Sequence, residues 1–158
     1  MEFTIERVGI ADAAELLALQ IGYRPEAAIY NDLSIPPLVQ SLESPQGEFA
    51  THTFLSARPV LKFDSGITGA IGGSQSGDTC RIGRLIVLPE YQRRGLGSRL
   101  MAAIEDAFPA AKRYELFTGH LSEGNLRLYR RLGYKEFRRP QVTASLQFVF
   151  LEKFSLRV

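Results

Sequence analysis

The chain has 158 residues, 45% of them hydrophobic and 23% charged, with 19 Lys and Arg against 17 Asp and Glu for a formal net charge of +2. That is enough chain for one soluble domain, 1–158, to bury a core unaided, and a lone cysteine, Cys80, with only His52 and His120 as histidines, excludes an intrachain disulfide and argues against a metal site. Residues 1–7 carry charges where a signal peptide would be apolar, and no apolar run approaches the roughly 20 residues of a membrane span, so a cytoplasmic location is expected.

Phe3, Ile5 and Val8 suggest an opening strand, and Asp12 followed three residues later by Glu15 looks like a capping box for a helix carrying Leu16, Leu17 and Leu19. Pro36 and Pro37 punctuate a second helical stretch holding Leu38, Val39 and Leu42. Residues 54–57, 67–73 and 80–88 read as three strands, with turn signals at 64–66 and 76–78, and so as an antiparallel meander. The run Leu85, Ile86, Val87, Leu88 is what a strand covered on both faces requires, and Pro89 ends its ladder. Leu96, Leu100, Ile104 and Phe108 recur every fourth residue, which predicts a helix from near Gln92 to about Phe108. A strand at 114–118, a helix at 123–132 between a Ser122 cap and Gly133, and two strands around 134–137 and 144–153 complete the chain.

The first turn of the long helix holds Arg93, Arg94, Gly95 and Gly97. Backbone N–H groups there lack intrahelical partners and the macrodipole is positive, so a phosphate would be well placed. The later arginines, Arg127, Arg130, Arg131, Arg138 and Arg139, suit a phosphorylated ligand or a solvated face.

The stretch Gln92-Arg93-Arg94-Gly95-Leu96-Gly97 resembles the Q/R-x-x-G-x-G/A signature of the GNAT superfamily of N-acetyltransferases. Downstream, Asn125 to Tyr134 is similar to the family's N-x-x-x-x-Y-x-x-x-G-F/Y segment, and the two motifs stand in the family's order. The resemblance implies an α/β fold, a mixed and mostly antiparallel sheet with splayed middle strands and helices on both faces, in the order β-α-α-β-β-β-α-β-α-β-β. It implies acetyl-CoA as cosubstrate, with no metal, and direct acetyl transfer to a primary amine of a small molecule or peptide. The alternative is a non-catalytic acyl-CoA-binding regulator. Neither nucleic acid nor membrane is an expected partner, and a homodimer stays open. A dinucleotide fold fits poorly, because three antiparallel strands precede the glycine loop and the offsets for a P-loop lysine or a ribose-binding acid are not met.

By the same resemblance the cofactor is held by Leu85, Ile86 and Val87 of the splayed strand, by Gln92, Arg93, Arg94, Gly95, Leu96, Gly97 and Ser98, and by Asn125. Gly83 hints at a bulge that starts the splay, and backbone N–H groups at Ile86 or Val87 would bond the acetyl oxygen. Asn125 and Tyr129 are four residues apart and share a helix face, and Tyr129 is the expected acid for the departing thiolate. Where better-understood members carry a glutamate this chain has Arg81, which cannot be a base, leaving a water chain, His120 or another carboxylate. Glu26, Asp32 and Glu43 are candidates for the acceptor cleft, and Cys80 reads as a small packed residue rather than a nucleophile.

Overall fold

The computed structural model describes residues 2–22, 52–60 and 66–156. The expected second helix with Leu38, Val39 and Leu42, the acids Glu26, Asp32 and Glu43, and most of the 64–66 turn lie outside them. The described chain runs β1 (Phe3–Arg7), α1 (Ala13–Gly22), β2 (Thr53–Pro59), β3 (Gly69–Ser76), β4 (Thr79–Val87), α2 (Leu96–Ala107), β5 (Arg113–Gly119), α3 (Glu123–Arg131), β6 (Lys135–Arg138) and β7 (Phe148–Phe154). The seven strands form one sheet in the order β1-β2-β3-β4-β5-β7-β6, antiparallel throughout except for β4 with β5.

Alternation along the strands assigns the faces. On one, Leu55, Ala57, Ile71, Cys80, Ile82, Tyr114 and Leu116 pack against Leu96, Leu100, Met101 and Ile104 of α2 and against Leu126 and Tyr129 of α3. On the other, Leu16 of α1 packs with Val8, Phe54, Ile67 and Ala70. Each fully buried Leu or Ile is worth roughly 1.5–3 kcal/mol, so the predicted four-residue period of α2 is what fastens that helix to the sheet. Its far end is fastened by charge: Lys153 Nζ donates to both oxygens of Glu105 at 3.0 and 3.2 Å, and the Tyr134 hydroxyl donates to Glu105 at 2.9 Å.

Adjacent glycines in β3 let both layers approach. A Cβ on Gly72 would lie 2.7 Å from Phe54 Cε1, and one on Gly73 would lie 2.9 Å from Phe108 Cε2. Phe54 is only 1% exposed and has nowhere to retreat. Gly72→Ala should therefore destabilise the fold by about 1–3 kcal/mol, read as a lowered urea midpoint at unchanged m-value; an unmoved midpoint would mean the aromatic layer has slack.

Two expected caps are differently employed. Glu15 does not close a box with Asp12: it accepts from both terminal nitrogens of Arg58 at 3.0 and 2.8 Å and from the Ile67 N–H at 2.8 Å, tying α1 to the sheet. The Arg58 hydrogen bonds hold its carboxyl below the usual range. Ser122 occupies the N-cap position of α3, but its hydroxyl makes no capping bond. Gly133, with φ of +97°, ends that helix as expected.

Candidate active site

The sheet comes apart in its middle. β4 is nine residues long, yet only Thr79, Cys80 and Arg81 pair with β5, opposite Arg113, Tyr114 and Glu115. Beyond that fork, residues 82–87 of β4 remain with β3, and residues 116–119 of β5 remain with β7. Between them one edge of each strand faces the other without a ladder. Leu85, Ile86, Val87 and Leu88 are accordingly half-buried rather than covered on both faces, because the neighbour that the apolar run anticipates departs at Arg81.

The bulge expected near Gly83 is present on the β3 side, but it lies beyond the fork, since pairing with β5 has already ended at Arg81. Ala70 pairs with Ile86 but Gly72 with Gly83, so one extra residue is accommodated at Arg84 and Leu85. Arg84 has φ of +55°, a left-handed conformation costly for a long side chain. The bulge thus follows Gly83 immediately and leaves Ile86 and Val87 as its downstream arm.

Pro89 ends β4 as expected and opens a single 3-10 turn, Pro89–Tyr91. The next residues are not helical, which corrects the expected start at Gln92: Arg93 has φ of +62°, Gly95 has φ of +77°, and α2 begins at Leu96 with Gly95 as its N-cap. The apolar period itself begins at Leu96, and two left-handed residues, Arg93 and Gly95, break the backbone ahead of it. Gln92 Nε2 donates to the Val87 carbonyl at 2.9 Å and pins the loop to the end of β4. Gly95 brings no side-chain cap, so the first N–H groups of α2 point out of an uncapped end. Gln92, Arg93, Arg94 and Gly95 are exposed, while Leu96 is 1% exposed and anchors the turn in the core; Gly97 and Ser98 are half-buried. Among the described residues, Arg84 and Arg93 are the non-glycine residues with positive φ, and such strain concentrates where it serves function.

α3 forms the opposite wall. A Cβ on Gly97 would come within 3.3 Å of Leu128 Cδ2, so the two helices meet at the start of α2. Asn125 Nδ2 reaches Thr118 Oγ1 at 3.5 Å, on the stretch of β5 that β4 has left, and Tyr129 follows one turn later, 5% exposed, with its ring 6.2 Å from that of Tyr134. Beyond β5, at the N-cap of α3, the buried Ser122 hydroxyl has no hydrogen-bond partner among the described residues. Leu85, Ile86 and Val87 thus lie on β4 beyond the fork, residues 92–98 on the loop and first turn of α2, and Asn125 and Tyr129 on α3, with Tyr129 packed in the core.

Three other candidates are placed clearly. The Gln147 N–H donates to His120 Nδ1 at 2.9 Å and the His120 N–H donates to the Gln147 carbonyl at 3.0 Å, so the lone pair on that nitrogen is committed to the backbone. Cys80 is fully buried and burial pushes its thiol up to about 12, which suits packing and not attack. Arg81 Nε donates to Glu115 Oε2 at 3.2 Å, while Arg113 takes Glu115 Oε1 at 3.2 Å.

Sequence reasoning missed what surrounds Arg81. An open pocket of about 480 Å³ is lined by Arg81, Ile82, Glu115, Phe117, Phe137, Arg138 and Phe150, of which only Ile82 belongs to the core under α2 and α3. The alternation of Phe148 and Phe150 with Val149 and Leu151 was the available signal, since only the latter two could serve the α2 core.

A mixed sheet parted at its middle strands, with a glycine and arginine loop leading from the parted strand into a helix, defines the acyltransferase class of GNAT fold. Residues 51–136 match the family described as the acetyltransferase (GNAT) domain. Solved structures agree on the fold: the PaiA N-acetyltransferase from Thermoplasma acidophilum in complex with coenzyme A (TM-score 0.70, 18% identity, 98% of this chain and 100% of that one), YncA from Salmonella typhimurium with its cofactor acetyl-CoA (0.69, 18%, 98% and 94%), and an acetyltransferase of the GNAT family from Staphylococcus aureus Mu50 (0.76, 16%, 97% and 99%). No curated protein matches the chain in sequence. The chain belongs to the GNAT acetyltransferase family.

Proposed function

We propose that the protein is an N-acetyltransferase that moves the acetyl group of acetyl-CoA directly to a primary amine of a small molecule or peptide. The observation that carries it is the three-residue pairing of β4 with β5, which leaves residues 82–87 and 116–119 unpaired with each other next to an exposed helix N-terminus without a side-chain cap. A pantetheine arm is the width of a strand and has amides to bond the two open edges; a diphosphate needs the donors at the loop. The residues present fit such a ligand: Gly95 has open space where a Cβ would stand, Arg93 and Arg94 are exposed beside it, and Ser122 offers a buried hydroxyl with no partner among the described residues.

The cosubstrate supplies an activated thioester. N–H groups at Ile86 or Val87 donate to its carbonyl oxygen as negative charge grows there. Tyr129 gives its proton to the departing sulfur, and Asn125 orients the arm from the same helix face. The amine sheds its own proton through water, since Arg81 offers no base and both oxygens of Glu115 are engaged by guanidiniums. In this reading the chain acts as one domain, 1–158, in a cytoplasmic setting.

At a hundredfold excess over its Kd, acetyl-CoA should stabilise the protein by about 2.7 kcal/mol, a rise in Tm of roughly 5–10 °C, while NADH and ATP at equal concentration do little. Thermal denaturation checks this directly. Equal shifts from all three would mean the loop is a generic anion site, and thiol release with an amine panel separates an enzyme from a silent binding module.

A further inference from the structure

We infer that the acceptor is an amine bearing a carboxylate beside an apolar, planar body, and that Arg138 binds that carboxylate. This rests on the proposed transfer to an amine, which would enter from the face holding the pocket at the β4–β5 fork.

The pocket's volume of about 480 Å³ suits a small organic molecule, and its wall is aromatic. Phe117 lies 4.7 Å from Phe148 and 5.1 Å from Phe150 between ring centroids, and Phe137 stands 6.2 Å from Phe150. Phe137 remains 40% exposed at the rim. Arg113 stands over Phe137 and Arg138 over Phe150, and the ring surface they leave favours a flat apolar group.

Its charge is the second half of the inference. Glu115, the carboxylate among the lining residues, accepts from Arg81 on one oxygen and from Arg113 on the other. Arg113 is held further by Glu152 at 2.7 Å, and the neighbouring Arg139 is held by Glu136. Arg138 differs: its guanidinium lies 4.3 Å over the Phe150 ring, and no carboxylate among the described residues pairs with it. Stacking one face of a guanidinium on a ring leaves its in-plane N–H fork outward, the geometry that grips a carboxylate in two bonds. A polycationic acceptor would need unpaired carboxylates here and would meet Arg81 and Arg138 instead. An acid satisfies Arg138, and the rings take its body.

N-acetylphenylalanine and N-acetylphenylalaninamide test this without a titrating amine, since they differ at the carboxyl alone. Titrated calorimetrically into the CoA-saturated protein, the acid should bind at least about tenfold tighter than the amide, the scale of one charge-assisted pair. Arg138→Gln should abolish that preference, whereas Arg81→Gln, which removes a guanidinium already paired with Glu115, should erode it less; both variants are first checked for an unaltered melting profile. Equal binding of acid and amide, no binding of either, or a preference that survives in R138Q would overturn the inference. So would thiol release with spermidine outpacing that with phenylalanine, and in that case the proposed transferase function would stand. Failure of CoA itself to bind would defeat both.

Discussion

Tyr129→Phe should lower kcat by about ten- to a thousandfold while leaving the Kd for acetyl-CoA nearly unchanged. The substitution isolates the hydroxyl, because the Tyr129 ring is 5% exposed within the main core and a phenylalanine ring fills the same volume. Tyr134, whose ring lies 6.2 Å away, is the obvious stand-in, but its hydroxyl already donates to Glu105 at 2.9 Å, and burial with that carboxylate pushes its ionisation far above a tyrosine's ordinary value. It can be expected to hold its proton. Tyr134→Phe should accordingly cost stability more than turnover. Steady-state kinetics with calorimetric CoA binding on both variants provide the check; an unchanged kcat in Y129F would reduce Tyr129 to a packing residue and require another acid.

Gly95→Val should weaken acetyl-CoA binding on the order of a hundredfold and cost the fold only about 1–2 kcal/mol. The asymmetry follows from geometry. Within the protein a Cβ on Gly95 would meet nothing within 4 Å, so the core does not feel the added volume. What suffers is the left-handed backbone at φ of +77°, which a β-branched residue resists, and the open approach to the first N–H groups of α2. A valine two residues later would act differently, by driving Leu128 and with it α3 away from α2. Calorimetry with CoA on G95V decides the matter; native affinity in that variant would mean the diphosphate lies elsewhere.

The elements legible in the sequence were those specified by local patterns. Four-residue spacing placed α2 against the sheet, Pro89 stopped β4, and Gly133 ended α3, each by a rule acting within a few residues. What was misjudged depended on partners distant in the chain. Glu15 looked like a cap because Asp12 was near, but Arg58, 43 residues on, claims it. The sequence pattern starts α2 at Gln92, four residues before Leu96, because a helical wheel does not register left-handed backbone at Arg93 and Gly95. The apolar run at 85–88 implied full cover, yet its half-burial arises from β5 turning away, a property of strand pairing that no single strand encodes. The acceptor-side pocket was invisible for the same reason, since Arg81 and Glu115 are 34 residues apart.

The seat of the cofactor is tested most directly by titrating coenzyme A into isotopically labelled protein and following its backbone amides by NMR. The amides of residues 93–98, at the head of α2, should move together with those of 85–87 and 116–118, the two parted edges, and saturate along one isotherm. Saturable binding that leaves both sets unmoved, or moves only β1 to β3, would contradict a coenzyme lying in the gap between β4 and β5.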